Sequence, residues 1–195
     1  MSSFSVDSSP AALEADRKRM LALLIERSYA KKKVVLSSGK ESDFYIDCKK
    51  TVLLAEGHWL TGRLLFAGVR ADFPQAIAVG GLTMGADPIA SAIATVSFVS
   101  GHPLHAFLVR KEPKGHGTGQ WIEGLTALSP GAKVVIVEDV VTTGASTIKA
   151  IERARAEGLD PIGAFTLVDR DEGGREAIEA TKVPVRSLFK RSDFP

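Results

Sequence analysis

Residues 133–148, KVVIVEDVVTTGASTI, decide how the rest of this chain is interpreted. They begin with the apolar, β-branched residues 134–137, which are typical of a short, buried parallel strand. Two acids, Glu138 and Asp139, follow at once, and a turn rich in Thr, Ser and Gly then leads into a helical pattern. Ligands of open α/β sheets bind at the carboxyl ends of the strands. The stretch therefore predicts a ligand site built from a strand, a turn and a helix.

The turn in this stretch suits a phosphate group. Backbone N–H groups at a helix start attract a phosphate, and Gly144 allows a close backbone approach with a positive φ. Glu138 and Asp139 would repel a phosphate, so their presence suggests a ligand that also carries hydroxyl groups, such as a ribose. The alternative interpretation is an ordinary strand, turn and helix with solvated acids.

The same stretch resembles the signature of type I phosphoribosyltransferases, which bind phosphoribosyl pyrophosphate (PRPP). In that family the two acids hold the ribose hydroxyls and the turn holds the 5-phosphate. The resemblance implies that Asp139 is also catalytic and that Thr142 also contacts the base. It further implies a set of PRPP-binding residues that runs from the acids through the turn: Glu138, Asp139, Val140, Val141, Thr142, Thr143, Gly144, Ala145 and Ser146.

Length, charge and cysteine content limit the class of protein. A chain of 195 residues that is 45% hydrophobic suits a single globular domain over residues 1–195. The net charge of +2 is too small to indicate a nucleic-acid partner. The one cysteine, Cys48, excludes an intrachain disulfide and fits a reducing cytoplasm. Because no apolar run reaches about 18 residues, and the N-terminus lacks a secretory pattern, we expect a cytoplasmic protein without a membrane partner.

Hydrophobic periodicity predicts alternating helices and strands. This order predicts an α/β fold with a parallel sheet, helices on both faces and a small N-terminal hood at about residues 30–50. Predicted helices cover residues 11–29, 56–70, 87–98, 146–157 and 174–181, and the third is apolar nearly all round. Predicted strands cover residues 76–79, 105–109, 134–137, 161–168 and 183–189. Gly80, Gly81 and Gly85 predict a strand-to-helix turn whose role, structural or functional, stays open.

The hood segment, residues 34–50, carries two adjacent aromatics, Phe44 and Tyr45. In a strand they point to opposite faces, so at least one is available to a ligand unless both pack. The segment resembles the hood of orotate phosphoribosyltransferases, which implies that both aromatics bind orotate. The pattern that carries the resemblance is S-G-x-x-S-x-[FY]-[FY], here Ser38, Gly39, Ser42, Phe44 and Tyr45.

The hood also departs from that family in one place. Some members carry a PRPP-contacting lysine two residues before the glycine, where this chain has Ser37. Whether Lys40 replaces that lysine is left open by the sequence.

A long polar loop follows the strand at residues 105–109. It is rich in glycine and in cations, and loops of this length in compact domains are usually functional or disordered. A mobile cationic loop suits a lid over a pyrophosphate, and a solvated basic loop is the alternative. Its pattern, R-K-x-x-K-x-H-G, resembles the catalytic loop of orotate phosphoribosyltransferases. The residues implied to bind PRPP are Arg110, Lys111, Lys114 and His116, of which the last three are implied to be catalytic.

In that family the loop, here about residues 111–123, reaches into the site of the neighbouring subunit. The resemblance therefore implies a homodimer.

Arg170 follows the predicted strand at residues 161–168. An arginine at the end of a parallel strand is well placed to bind a carboxylate through two hydrogen bonds. In the family an arginine at this place binds the orotate carboxylate, and the alternative is a salt bridge to Asp169 or Glu172.

The implied reaction converts orotate and PRPP into orotidine 5′-monophosphate and pyrophosphate, a step of pyrimidine biosynthesis. It uses Mg²⁺ held mostly by the substrate, so no protein metal site is predicted. Two alternatives remain, a phosphoribosyltransferase for a purine or another base, and a PRPP-sensing regulator that binds nucleic acid. Arg170 and the aromatic hood argue against the first, and the small net charge with the intact cationic loop argues against the second.

Overall fold

The computed structural model describes residues 6–35, 41–113 and 120–195. The helices of this part of the chain are α1 (Pro10–Leu23), α2 (Lys49–Val52), α3 (Ala55–Asp72), α4 (Ala86–Val99), α5 (Ala145–Ala156) and α6 (Gly174–Glu179). The strands are β1 (Tyr29–Val35), β2 (Glu41–Ile46), β3 (Ala78–Leu82), β4 (His105–Val109), β5 (Ile122–Glu123), β6 (Lys133–Val141), β7 (Asp160–Asp169) and β8 (Val185–Lys190).

The central sheet has six strands in the order β5-β4-β3-β6-β7-β8. All neighbours pair in parallel except β5, which runs antiparallel to β4 at one edge. The predicted α/β fold with a parallel sheet is thus confirmed. The chain passes from β3 to β4 on one side and continues through β6, β7 and β8 on the other. The strand order therefore reverses between β3 and β6, which is where sheets of this type bind ligands.

Both faces of the sheet are covered, which explains the continuous apolar run that begins β6. Val135 and Val137 belong to the core that α1, α3 and α4 cover, whereas Val134 and Ile136 belong to the core beneath α5 and α6. All four side chains are fully buried. Because successive side chains of a strand alternate between faces, only a strand buried on both sides needs four apolar residues in a row.

The hood is an antiparallel hairpin of β1 and β2, followed by the short helix α2. The predicted helix over residues 11–29 is confirmed as far as Ser28, but its last turn is π-helical and Tyr29 belongs to a strand. Helix α1 stops at Leu23, a π-helical turn covers Leu24–Ser28, and Tyr29 already pairs with Ile46 in the hairpin. A partner strand that lies later in the chain therefore ends the helical pattern.

The Gly80-Gly81 pair lies within β3 and not in a turn, so the predicted turn position is wrong. A Cβ atom on Gly80 would meet the Phe107 carbonyl oxygen, and one on Gly81 would meet the Val137 carbonyl oxygen. These glycines therefore allow β3 to pack closely between β4 and β6. The actual turn into α4 covers residues 83–85.

Helix α4 is buried on one face only, although its sequence predicts burial nearly all round. Ile89 and Ile93 are fully buried, whereas Phe98 at the end of the helix is 76% exposed. Among the described residues, each helix is too short or too polar to cross a membrane.

Candidate active site

Two adjoining cavities lie at the carboxyl ends of β3 and β6, where the strand order reverses. The first has a volume of about 200 Å³ and the second about 230 Å³. Glu138 and Ser146 line both cavities, so a single elongated ligand can occupy the two together. The wall of the first consists of Glu138 and residues 140–147. The wall of the second consists of Lys49, Leu82, Thr83, Met84, Gly85, Lys111, Glu138, Asp139 and Ser146.

The sequence pattern placed the two acids directly after the strand. In the structure they lie within β6. The strand continues to Val141, which pairs with Asp169 of β7. As a result Glu138 is only 6% exposed. Burial raises the pKa of the Glu138 carboxyl well above its usual range, and the neighbouring Asp139 carboxylate adds to this rise. The Thr147 hydroxyl donates to Glu138 Oε2 at 3.5 Å, and Val140 N–H donates to Asp139 Oδ1 at 2.9 Å.

The turn after β6 forms most of the first cavity. Gly144 has a φ of 78° and directly precedes α5, whose first-turn N–H groups have no acceptor within the helix. A Cβ atom on Gly144 would lie 2.7 Å from the Gly174 carbonyl oxygen and 2.9 Å from Ile178 Cγ1. The turn therefore packs against α6, and only glycine fits its left-handed conformation. Such an N-terminus is well suited to a phosphate group.

We expect Gly144→Ala to destabilise the protein by more than the cost of its backbone conformation alone. A left-handed conformation costs a non-glycine residue about 1–2 kcal/mol, and the close contacts with Gly174 and Ile178 add to it. Gly158→Ala is the matched control, because Gly158 also has a φ of 78° but has nothing within 4 Å of its Cβ position. Urea unfolding measures both variants. Equal losses in the free energy of unfolding of the two variants would mean that the contact between the turn and α6 does not contribute to stability.

The second cavity brings β3 and the acids together. The Thr83–Met84 peptide bond in the turn after β3 is cis. A Cβ atom on Gly85 would lie 2.6 Å from Asp139 Oδ1, so glycine is needed for this close approach. On the opposite wall, Lys49 Nζ lies 2.9 Å from Asp47 Oδ1 and 3.8 Å from Asp139 Oδ2. Sequence analysis missed Lys49, because no local pattern links the start of α2 to the end of β6.

The predicted cationic loop is described only in part. Lys114 and His116, two of its predicted catalytic residues, lie outside the described residues. Lys111 lines the second cavity, and its carbonyl oxygen accepts a hydrogen bond from Lys149 Nζ at 3.2 Å. Arg110 pairs with Glu123 at 3.2 Å instead of lining either cavity. Residues 122–123, which the sequence placed in the loop, form strand β5.

Arg170 lies just beyond the end of β7 and is 8% exposed. Its Nη2 donates to the Phe44 carbonyl oxygen at 2.8 Å and lies 2.9 Å from Glu172 Oε1. A salt bridge to Glu172, one of the two that the sequence allowed, is therefore present. Asp169 pairs with Arg175 at 2.9 Å. Arg170 does not belong to the wall of either cavity.

Comparisons with known proteins show the family of this chain. Residues 64–190 match the phosphoribosyl transferase domain family. The orotate phosphoribosyltransferase of Sorangium cellulosum is 51% identical over 94% of this chain and 95% of its own length. That of Aquifex aeolicus is 52% identical over 82% of this chain and 85% of its own length. This chain belongs to the orotate phosphoribosyltransferase family. Its function is accordingly orotate phosphoribosyltransfer in pyrimidine biosynthesis.

A solved structure shows the same likeness at the level of the fold. The orotate phosphoribosyltransferase of Mycobacterium tuberculosis, crystallised with PRPP, superposes with a TM-score of 0.72 at 32% identity. The superposition covers 93% of this chain and 92% of that one.

The hood aromatics Phe44 and Tyr45 occupy opposite faces of β2. Phe44 is 1% exposed, and its ring lies 5.2 Å from that of Tyr29 and 5.4 Å from that of Phe194. Tyr45 is half-buried, with Lys32 Nζ 3.9 Å from its ring centroid. The Phe44 ring thus lies in the core, where the Arg170 guanidinium carbon is 5.3 Å from its centroid, and Arg170 also donates a hydrogen bond to the Phe44 carbonyl oxygen. Residues 37–40 lie outside the described part of the chain.

Proposed function

We propose that this chain converts orotate and PRPP into orotidine 5′-monophosphate and pyrophosphate in the crevice between β3 and β6. The observation that supports this site is the pair of cavities that adjoin at Glu138. One offers a helix N-terminus to a phosphate, and the other offers two lysines to a pyrophosphate. We further propose that the whole chain acts as one domain and works in the cytoplasm.

PRPP would extend through both cavities. Its 5-phosphate would occupy the first cavity, bound by N–H groups and hydroxyls of residues 140–146. The ribose hydroxyls would donate to Glu138 and Asp139, which accept hydrogen bonds where the two cavities meet. The pyrophosphate would then lie in the second cavity beside Lys111. The loop residues Arg110, Lys114 and His116 are proposed to complete its binding.

The chemistry requires charge placement and not a protein nucleophile. A ring nitrogen of orotate would attack the anomeric carbon as pyrophosphate leaves, through a transition state that resembles an oxocarbenium ion. Asp139 would place negative charge beside the developing positive charge, and Lys111 would face the departing pyrophosphate. Fixed charges of this kind are usually the largest contribution to catalysis, and they act best where water is excluded.

A magnesium ion fits the chemistry of this site. Glu138 and Asp139 supply carboxylate oxygens, the donors that hard cations prefer, and PRPP would supply most of the remaining ligands. When bound, the ion would offset negative charge on the pyrophosphate.

Arg170 is proposed to bind the orotate carboxylate, with Thr142 and the hood residues Phe44 and Tyr45 around the base. In the structure its guanidinium already holds the Glu172 carboxylate at 2.9 Å. The orotate carboxylate would take the place of Glu172 on the same guanidinium. Phe44 would contribute through its carbonyl oxygen, which holds Nη2 of Arg170 in place.

We also propose a homodimer whose catalytic loops are exchanged. Lys111 lines the cavity of its own chain, so it would act in its own site. Lys114 and His116 would act in the site of the partner subunit.

The test of this proposal is an assay of orotate consumption with PRPP and Mg²⁺, in which the wild-type chain is compared with Asp139→Asn. A lost hydrogen bond to a charged group costs about 1.5–3 kcal/mol. We therefore expect the catalytic efficiency for PRPP to fall about 10- to 100-fold. Glu152→Gln, an exposed acid on α5, is the matched control. A wild-type chain that leaves orotate unchanged would refute the activity, whereas normal PRPP kinetics in Asp139→Asn would remove the acid from the site.

A further inference from the structure

We propose that Lys49 is a PRPP-binding residue that holds the pyrophosphate end of the substrate in the second cavity. This inference rests on the proposed placement of PRPP across the two cavities. It concerns a residue that no pattern in the sequence had linked to the site.

The backbone of Lys49 is held firmly against the core. Lys49 is the first residue of α2, two residues before Thr51, which is fully buried. The Thr51 hydroxyl lies 2.7 Å from Ser28 Oγ, and a Cβ atom on Gly57 would meet the Thr51 carbonyl oxygen. The start of α2 is therefore fixed between α3 and the π-helical turn that follows α1. A charged side chain on such a rigid base is well placed to meet a ligand at a defined position.

The ammonium group of Lys49 lies between two carboxylates. It is 2.9 Å from Asp47 Oδ1 and 3.8 Å from Asp139 Oδ2. The close approach of the Asp47 carboxylate raises the pKa of the ammonium, so the group stays charged at neutral pH. The side chain nevertheless keeps 42% of its surface exposed, and it lines the second cavity. A ligand phosphate can therefore reach the ammonium while the Asp47 contact keeps it in place.

The charge balance of the second cavity explains why this lysine is needed. Among the described residues of its wall, Glu138 and Asp139 supply carboxylates, and Lys49 and Lys111 supply the cations. The carboxylates oppose a pyrophosphate, which is the most negative part of PRPP. Lys111 stands at the base of the loop, whereas Lys49 stands on the fixed hood. Lys49 therefore offers a positive charge before the loop contributes.

The simpler alternative is that Lys49 only pairs with Asp47 and stabilises the hood. The chain offers a matched control for this alternative in the next residue, Lys50, which is exposed and does not line the cavity. A second control is Lys49→Arg, which keeps the positive charge.

The experiment compares Lys49→Gln, Lys50→Gln and Lys49→Arg with the wild-type chain in steady-state kinetics and in calorimetric binding of pyrophosphate with Mg²⁺. We expect Lys49→Gln to raise the Michaelis constant for PRPP and the dissociation constant for pyrophosphate by about 10- to 100-fold, the usual loss for a charged hydrogen bond. The Michaelis constant for orotate and the affinity for ribose 5-phosphate should not change. Lys50→Gln should behave as wild type, and Lys49→Arg should recover most of the loss.

A measurement on the wild-type protein tests the inference even if Lys49→Gln does not fold. Acetylation of exposed lysines, followed by mass spectrometry, should show that pyrophosphate with Mg²⁺ protects Lys49 and leaves Lys50 reactive. Equal reactivity of Lys49 with and without pyrophosphate would overturn the inference, as would unchanged pyrophosphate binding in folded Lys49→Gln. A wild-type chain that binds pyrophosphate at Lys49 but does not consume orotate would instead refute the proposed reaction alone.

Discussion

Replacement of Arg170 by alanine is expected to raise the Michaelis constant for orotate about 30-fold or more and to change that for PRPP far less. Removal of one partner from a buried, hydrogen-bonded charge pair costs on the order of 2–5 kcal/mol. Arg170 is 8% exposed, so its pair with the orotate carboxylate would be largely shielded from water. Steady-state kinetics with each substrate varied in turn measures the effect. Arg186→Ala is the matched control, because Arg186 pairs with Asp72 at an exposed position.

A companion variant, Glu172→Gln, separates orotate binding from a purely structural salt bridge. Glu172 Oε1 lies 2.9 Å from Nη2 of Arg170, so the Glu172 carboxylate would compete with the orotate carboxylate for the guanidinium. Its neutralisation should lower the Michaelis constant for orotate if the guanidinium binds the substrate. The opposite outcome is that Glu172→Gln lowers stability, while orotate binding stays the same in both Arg170→Ala and Glu172→Gln. Arg170 would then only connect the end of β7 to the hood through Phe44.

Replacement of Lys114 by alanine is expected to lower turnover about 100- to 1000-fold, the typical loss when one donor to a developing charge is removed. The Michaelis constants should change much less. The proposed partner of Lys114 is the departing pyrophosphate, whose negative charge grows only as the bond to the anomeric carbon breaks. An interaction made mainly in the transition state lowers turnover and catalytic efficiency together. Lys18→Ala, at an exposed position of α1, is the control for loss of a lysine charge.

Mixing two variants of reduced activity tests whether Lys114 acts across a dimer. In a hybrid of Lys114→Ala and Asp139→Asn chains, an exchanged loop would place both changes in one site and leave the other site intact. Recovered activity would therefore support loop exchange between subunits. If subunits exchange and the activity of the mixture does not rise above that of the separate variants, Lys114 acts in its own chain, as Lys111 is proposed to do.

Much of the fold and part of the candidate site could be predicted from local sequence. The run at residues 134–137 predicted a strand buried on both faces, because four apolar residues in succession leave neither face for water. The order of helices and strands predicted the parallel sheet for a similar reason, since helical crossovers connect parallel strands. The acids and the turn around Gly144 could be grouped because they are neighbours in the chain.

Contacts between distant segments decided the rest. The first helical pattern continues in the sequence to Tyr29, but Tyr29 pairs with Ile46, and the strand pairing prevails over local helix preference. Gly80 and Gly81 form a pattern that is typical of a turn. In the structure they lie within β3, where β4 and β6 pack so closely that only glycine fits.

The candidate site shows the same division between local and distant information. The sequence by itself determined that Glu138 and Asp139 lie beside the turn around Gly144, the proposed phosphate site, because these residues follow one another. Only the tertiary structure decided that β6 continues through both acids, which buries Glu138 and raises its pKa. Only the tertiary structure brought Lys49 from the hood to within 3.8 Å of Asp139. The physical reason is that burial and charge pairing depend on which segments contact each other in the folded protein. The spacing of residues along the chain does not determine these contacts.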